Sequence, residues 1–168
     1  MLSKLLAAAL CLTALSSCAG YQLGNSKPSE LKSVKAISIP LFENNTQEQR
    51  LAVLVTNSVV DSITRDGTYS IATSNTGDAE LRATIKNIKY SERRSSRFDT
   101  LRASELYLTL VVDWSLVDSQ NRTLASGKES GRTQFSVAEN QQLSRSNAMA
   151  DAAKDAAEQI TLRLANGF

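Results

Sequence analysis

Side chains able to do chemistry are sparse in this sequence, and their types narrow what that chemistry is. Histidine is absent, and the two cysteines, Cys11 and Cys18, both stand near the N-terminus. Imidazole triads and His/Cys metal sites are therefore not expected, and neither is a resident metal. The carboxylates Asp61, Asp66, Asp113 and Asp118 have no neighbouring nucleophile or second catalytic group, and such residues are ordinary at turns and helix ends. Catalysis is not expected. What remains is ionic. Arg93, Arg94, Arg97 and Arg102 lie in one unpatterned stretch, Ser91 to Arg102. Guanidinium forks match phosphate oxygens two at a time, which makes this stretch the first candidate binding site. Lys128 and Arg132 form a second, smaller candidate, and Tyr107 is a candidate for contact with a partner protein. The plainer reading of the arginines is a solvated loop balanced by Glu92, Asp99 and Glu105.

Cys18 is reactive for a different reason. Lys4 gives a basic start, and Leu5 to Leu15 is an apolar run too short to span a bilayer, the two regions of a signal peptide. The segment Leu15-Ser16-Ser17-Cys18-Ala19-Gly20 then has the form of a bacterial lipobox, at which the cysteine is diacylated and becomes the first mature residue. The competing reading is an ordinary secretory signal with a chance cysteine near the cut. On the lipobox reading, residues 1–17 are the signal peptide, 18–33 a lipidated polar tether and 34–168 one domain. Cys11 leaves with the signal and Cys18 carries lipid, so no internal disulfide forms and the core alone must hold the fold. A mature chain of roughly 150 residues is large enough for that. Its formal charge falls from +2 to +1 once Lys4 is removed, which excludes a globally basic nucleic-acid binder. The covalent lipid on Cys18 is the one prosthetic group expected, and its two or three chains suffice for anchoring.

The rest of the chain must position the charged candidates. Val34 to Ile39 alternates as a strand closed by Pro40. Leu51, Leu54, Val55, Val59 and Ile63 recur at helical spacing, which predicts a helix from about Gln47 to Asp66, stopped by Gly67. Ala79 to Tyr90 predicts a strand whose parity slips by one residue, the mark of a β-bulge at Lys86 or Asn87. Ser104 to Val117 is the most regular strand, with Leu106, Leu108, Leu110, Val112, Trp114 and Leu116 in phase. A turn at Asp118 to Asn121 leads into a polar return strand, Arg122 to Phe135, whose Gly127 and Gly131 suggest an edge, bulged or flared strand. Gln141 to Asn166 predicts a second helix, with an alanine-rich surface suited to close approach to a sheet. The expected fold is α+β: a four-stranded mixed sheet, ordered β-α-β-β-β-α, with both helices on one face.

Several segments together resemble the LptE family. They are Cys18-Ala19-Gly20-Tyr21-Gln22-Leu23, Ile37-Ser38-Ile39-Pro40-Leu41-Phe42-Glu43-Asn44-Asn45-Thr46, Arg65-Asp66-Gly67-Thr68-Tyr69, Ala79-Glu80-Leu81, Trp114-Ser115-Leu116-Val117-Asp118 and the terminal alanine-rich helix. The resemblance covers nearly the whole mature chain, although no single motif is diagnostic. It implies an outer-membrane lipoprotein that plugs and stabilises the large LptD β-barrel and assists lipopolysaccharide assembly. It gives the arginines, Lys128 and Arg132 a ligand, the phosphates of lipid A, and it gives Tyr107 a barrel wall. The alternative is an LpoB-like lipoprotein that activates a peptidoglycan synthase, since those proteins also carry an Ile-x-Ile-x-x-Phe-x-Asn-x-Thr-like strand end. A tether of about fifteen residues reaches at most about 50 Å, which favours work near the membrane.

Overall fold

The computed structural model describes residues 27–73, 76–92, 105–136 and 141–167. Cys18, Arg93, Arg94, Arg97 and Arg102 lie outside these residues. In chain order the elements are β1 (Ala36–Ser38), β2 (Glu43–Asn44), α1 (Leu51–Asp66), β3 (Ser70–Ala72), β4 (Ala79–Glu92), β5 (Glu105–Asp118), β6 (Thr123–Ser136) and α2 (Gln141–Asn166).

The two-layer α+β fold is as expected, but the sheet has six strands rather than four, ordered β3-β1-β4-β5-β6 with β2 also paired to β4. The additional strands are β2 and β3, of two and three residues. Segments that short carry no readable alternation, and their pairing is set by what lies beside them. β1 runs parallel to both β3 and β4, pairing Ile37 with Ile71 on one side and with Ala79 on the other. β2 takes up the next part of the β4 edge, with Glu43 opposite Thr84. Beyond it β4, β5 and β6, each of 14 residues, continue as an antiparallel meander.

The meander follows its side-chain pattern. Leu108, Leu110, Val112, Trp114 and Leu116 are buried on one face of β5, with Leu81, Ala83 and Ile85 beside them on β4. The register slips between Ile85 and Asn87, which keeps Ile88 and Tyr90 packed against the same core after the parity change. A second slip, on β6 at Leu124, follows the Asp118 to Arg122 turn. In that turn Asn121 adopts φ 60 and the Asp118 carboxylate accepts from the Gln120 and Arg122 N–H groups, both at 2.9 Å.

Both helices cover this core face. α1 buries Leu51, Val55, Val59 and Ile63 and ends at Gly67, which has φ 75 and donates its N–H to the Ile63 carbonyl. The helix begins at Leu51, later than the pattern of apolar residues predicts. Asn44 and Thr46 hold the preceding segment in a local turn: the Asn44 carbonyl oxygen accepts from the Thr46 N–H and hydroxyl, and its amide donates to the Glu48 carbonyl. The Phe42 N–H then donates to the Thr56 hydroxyl at 3.1 Å, tying this turn to α1. The Phe-x-Asn-x-Thr segment that carries much of the family resemblance is thus a structural joint. α2 lays Ala148, Ala152, Ala153, Ala156 and Ala157 into the core, and the Thr161 and Ser62 hydroxyls meet between the helices at 2.8 Å.

Two ionisable groups at the β1 end of the sheet tie elements together and give the fold a defined pH range. The Asp78 carboxylate accepts the Lys35 N–H at 2.8 Å and the Ala36 N–H at 3.0 Å, and these bonds hold its pKa below the ordinary carboxylate range. A depressed pKa contributes stability above the unfolded value, about 3.9, and that contribution is lost as the pH falls through the folded value. Asp78→Asn should therefore shallow the acid limb of a urea-midpoint profile taken from pH 7 to pH 2. At the alkaline side, the Tyr69 hydroxyl donates to the Leu164 carbonyl at 2.8 Å, and burial first, then Asp66, pushes its pKa up to about 12. Its contribution is complete below the unfolded value of about 10 and disappears as the pH rises through about 12. Tyr69→Phe should cost about 1 kcal/mol at neutral pH and flatten the alkaline limb in the same assay.

Candidate functional site

The sheet face away from the helices is the surface on which the described candidates meet. Side chains alternate, so the residues of β5 that oppose the core face are Tyr107, Thr109, Val111, Asp113 and Ser115. Register sets their neighbours. Tyr107 lies between Ser91 and Gln134, Thr109 between Lys89 and Arg132, and Asp113 between Thr84 and Lys128. Arg132, Lys128 and Tyr107 thus share one open face, with Tyr107 and Arg132 on the half of the meander that ends at Glu92 and Glu105 and Lys128 nearer β1.

The structure adds a residue that sequence reasoning missed, Lys89. It faces Arg132 across Thr109, giving a cation, a hydroxyl and a cation in one row about 10 Å wide at two strand spacings. Both cations are exposed, and among the described residues neither makes an ion pair. Lys128 differs: its ammonium sits 3.8 Å from Asp113 Oδ1. Its charge is therefore partly answered locally. Finding the row from sequence requires both register slips, because the bulge at Lys86 brings Lys89 to the open face opposite Thr109, and the turn and the slip at Leu124 bring Arg132 there from the other side.

This row is held from behind. On the helix side of the same strands, Arg145 of α2 lies 4.6 Å over the Tyr90 ring, donates to the Tyr90 hydroxyl at 2.8 Å and pairs with Glu48. Tyr90 in turn meets Phe135 edge-on with ring centroids 6.4 Å apart. At the edge of β6, the outward Arg132 N–H donates to the Asp155 carboxylate at 2.7 Å, so α2 also fixes the backbone beneath the guanidinium. Nearer β1 the open face carries a cleft of about 510 Å³ lined by Leu41, Glu43, Glu80, Arg82, Thr84 and Asp113, among others. Arg82 is engaged there with Glu80 and Asn121. Among the described residues no group of His, Cys, Asp or Glu is arranged to hold a metal. Asp66 and Asp118 accept turn N–H groups, the structural role expected of them.

A helix layer on one face of a mixed sheet, with a polar strand face left open, defines an α+β domain of the kind found in bacterial envelope lipoproteins. A lipoprotein from Caulobacter crescentus has the same fold, with a TM-score of 0.51 at 20% identity over 74% of this chain and 87% of that one. Lipoprotein B from Nitrosomonas europaea gives 0.52 at 17% identity over 87% and 90%, and a PelC dodecamer from Paraburkholderia phytofirmans gives 0.52 at 14% over 83% and 95%. At these identities the likeness is one of fold. No curated protein matches the sequence significantly. The family is settled by sequence: residues 34–164 match the model of LptE, described as lipopolysaccharide-assembly, and the chain belongs to the LptE family. It is therefore a lipopolysaccharide-assembly lipoprotein of a non-catalytic, outer-membrane-associated family. That match lends no support to an LpoB-like activator.

Proposed function

We infer that this lipoprotein is seated against or within an LptD-like outer-membrane β-barrel, and that its open sheet face meets the phosphorylated part of lipopolysaccharide during assembly. The observation that carries the reading is the Lys89, Thr109, Arg132 row. It offers an ammonium, a hydroxyl and a guanidinium fork on a rigid surface, with the cations unopposed among the described residues. Long cationic side chains at that separation converge on a single phosphate group, or each takes one of two. The surroundings fit a polar lumen: Ser91, Ser126, Ser130 and Gln134 on the same face are hydrogen-bonding and exposed. Arg93, Arg94, Arg97 and Arg102 belong to the segment joining β4 to β5 and extend the proposal to that segment, Lys128 has a lesser part because of Asp113, and Tyr107 is the proposed contact with the barrel wall. Lipidated Cys18 holds the domain at the outer membrane. The protein acts by binding and not by catalysis.

Binding of fluorescent lipopolysaccharide to the detergent-purified full chain tests this reading, with lipopolysaccharide lacking the lipid A phosphates as the control. The phosphorylated form should bind at least about tenfold more tightly and with marked salt dependence. Equal affinity for both forms would contradict the phosphate reading.

A further inference from the structure

The domain has another cleft, toward the opposite end of β6 from Arg132, that neither the fold nor the family role accounts for. It measures about 400 Å³ and lies between residues 28–31, the start of β6 and the last turn of α2, with apolar walls from Pro28, Leu31, Trp114, Leu124 and Ala125. One of its walls, Trp114, has an unmet need. Trp114 is 5% exposed, and among the described residues its buried indole Nε1 has no hydrogen-bond acceptor. A buried donor without a partner is costly, and a backbone carbonyl entering the cleft is the group that would satisfy it.

We propose that this cleft is the docking site for Tyr21 to Leu23 of the same chain. The tether leaves from its rim, since Pro28 is one of its walls and Lys27 is pinned 4.1 Å over the Tyr69 ring with its ammonium donating to the Val34 carbonyl at 2.8 Å. Leu23 and Tyr21 stand five and seven residues before Pro28, within about 17 and 25 Å of it in extended chain. They are the only large apolar side chains between Cys18 and Lys27. In an extended segment, positions two apart face the same way, so both enter the cleft while Gln22 faces water. Charge agrees as well. Glu129 and Arg163 of the cleft are paired with each other at 3.0 Å, and Tyr-Gln-Leu brings no charge to disturb that balance.

Docking shortens the free tether to the three residues from Cys18 to Tyr21, about 10 Å. With Cys18 acylated, the β1 end of the sheet is held close to the membrane and Lys89 and Arg132 lie toward the far end of the meander. Trp114 is the sole tryptophan and so reports on the cleft directly. In the lipidated full chain, Tyr21→Ser with Leu23→Ser should shift its emission to longer wavelength and raise the acrylamide quenching constant at least about twofold, with the far-UV circular dichroism unchanged. Unchanged emission and quenching would overturn the proposal. So would quenching of wild-type Trp114 by phosphatidylcholine vesicles with brominated acyl chains, which would put a lipid chain in the cleft, or shielding that depends on protein concentration, which would put a second copy there.

Discussion

Gly131→Ala should cost this domain about 3 kcal/mol or more, at the upper end of what overpacking a core does. A methyl group placed on Gly131 would stand 1.8 Å from the Ala152 carbonyl oxygen and 2.6 Å from the Ala156 nitrogen, both backbone atoms of α2. No side-chain rotation relieves contact with backbone, so the helix must lift from β6. That displacement would unseat Ala152, Ala153, Ala156 and Ala157 together, and it would strain the bond from the Arg132 N–H to Asp155. Urea unfolding followed by circular dichroism measures the loss directly. Gly67→Ala is the contrast: its φ of 75 disfavours any other residue, but nothing lies within 4 Å of the new carbon, and the cost should stay near about 1 kcal/mol. A Gly131→Ala variant as stable as the parent would mean that α2 does not approach the sheet this closely.

The second large effect is functional and leaves stability alone. Lys89→Glu combined with Arg132→Glu should weaken binding of phosphorylated lipopolysaccharide about thirtyfold or more, corresponding to about 2 kcal/mol. Reversal replaces two attractive charges with two repulsive ones on the same row, while the core face behind them is untouched. Both side chains are exposed and neither is committed to an ion pair among the described residues, so the melting temperature should hardly move. Lys128→Glu should do less, because Lys128 is already 3.8 Å from Asp113. A double reversal that leaves affinity unchanged would move the ligand away from this row, toward residues 93–104.

These two expectations show what the sequence made legible. The long strands and the alanine-rich helix were readable because their periodicity is uninterrupted, and the bulge at Lys86 was readable as a slip in parity. Gly131 was read only as a weakness of a polar strand. Its meaning lies in the helix that crosses it, a contact between positions more than twenty residues apart. β2 was not readable and the short apolar pair Tyr69 and Ile71 gave only an extended segment, not a strand of the sheet, because two or three residues have no period; the late start of α1 was missed because Asn44 and Thr46 compete for the backbone that capping would have used. The open-face row was half visible: Arg132 stood out by type, whereas Lys89 joins it only through a register that depends on two irregularities.

The central claim is that this LptE-family lipoprotein works against an outer-membrane barrel. Purifying the lipidated protein from native outer membranes in mild detergent, and identifying its stoichiometric partners by mass, tests that claim most directly. An LptD-like β-barrel that remains associated through denaturant-free washing and size exclusion is the predicted result. Recovery of a peptidoglycan synthase, with no barrel present, would contradict it.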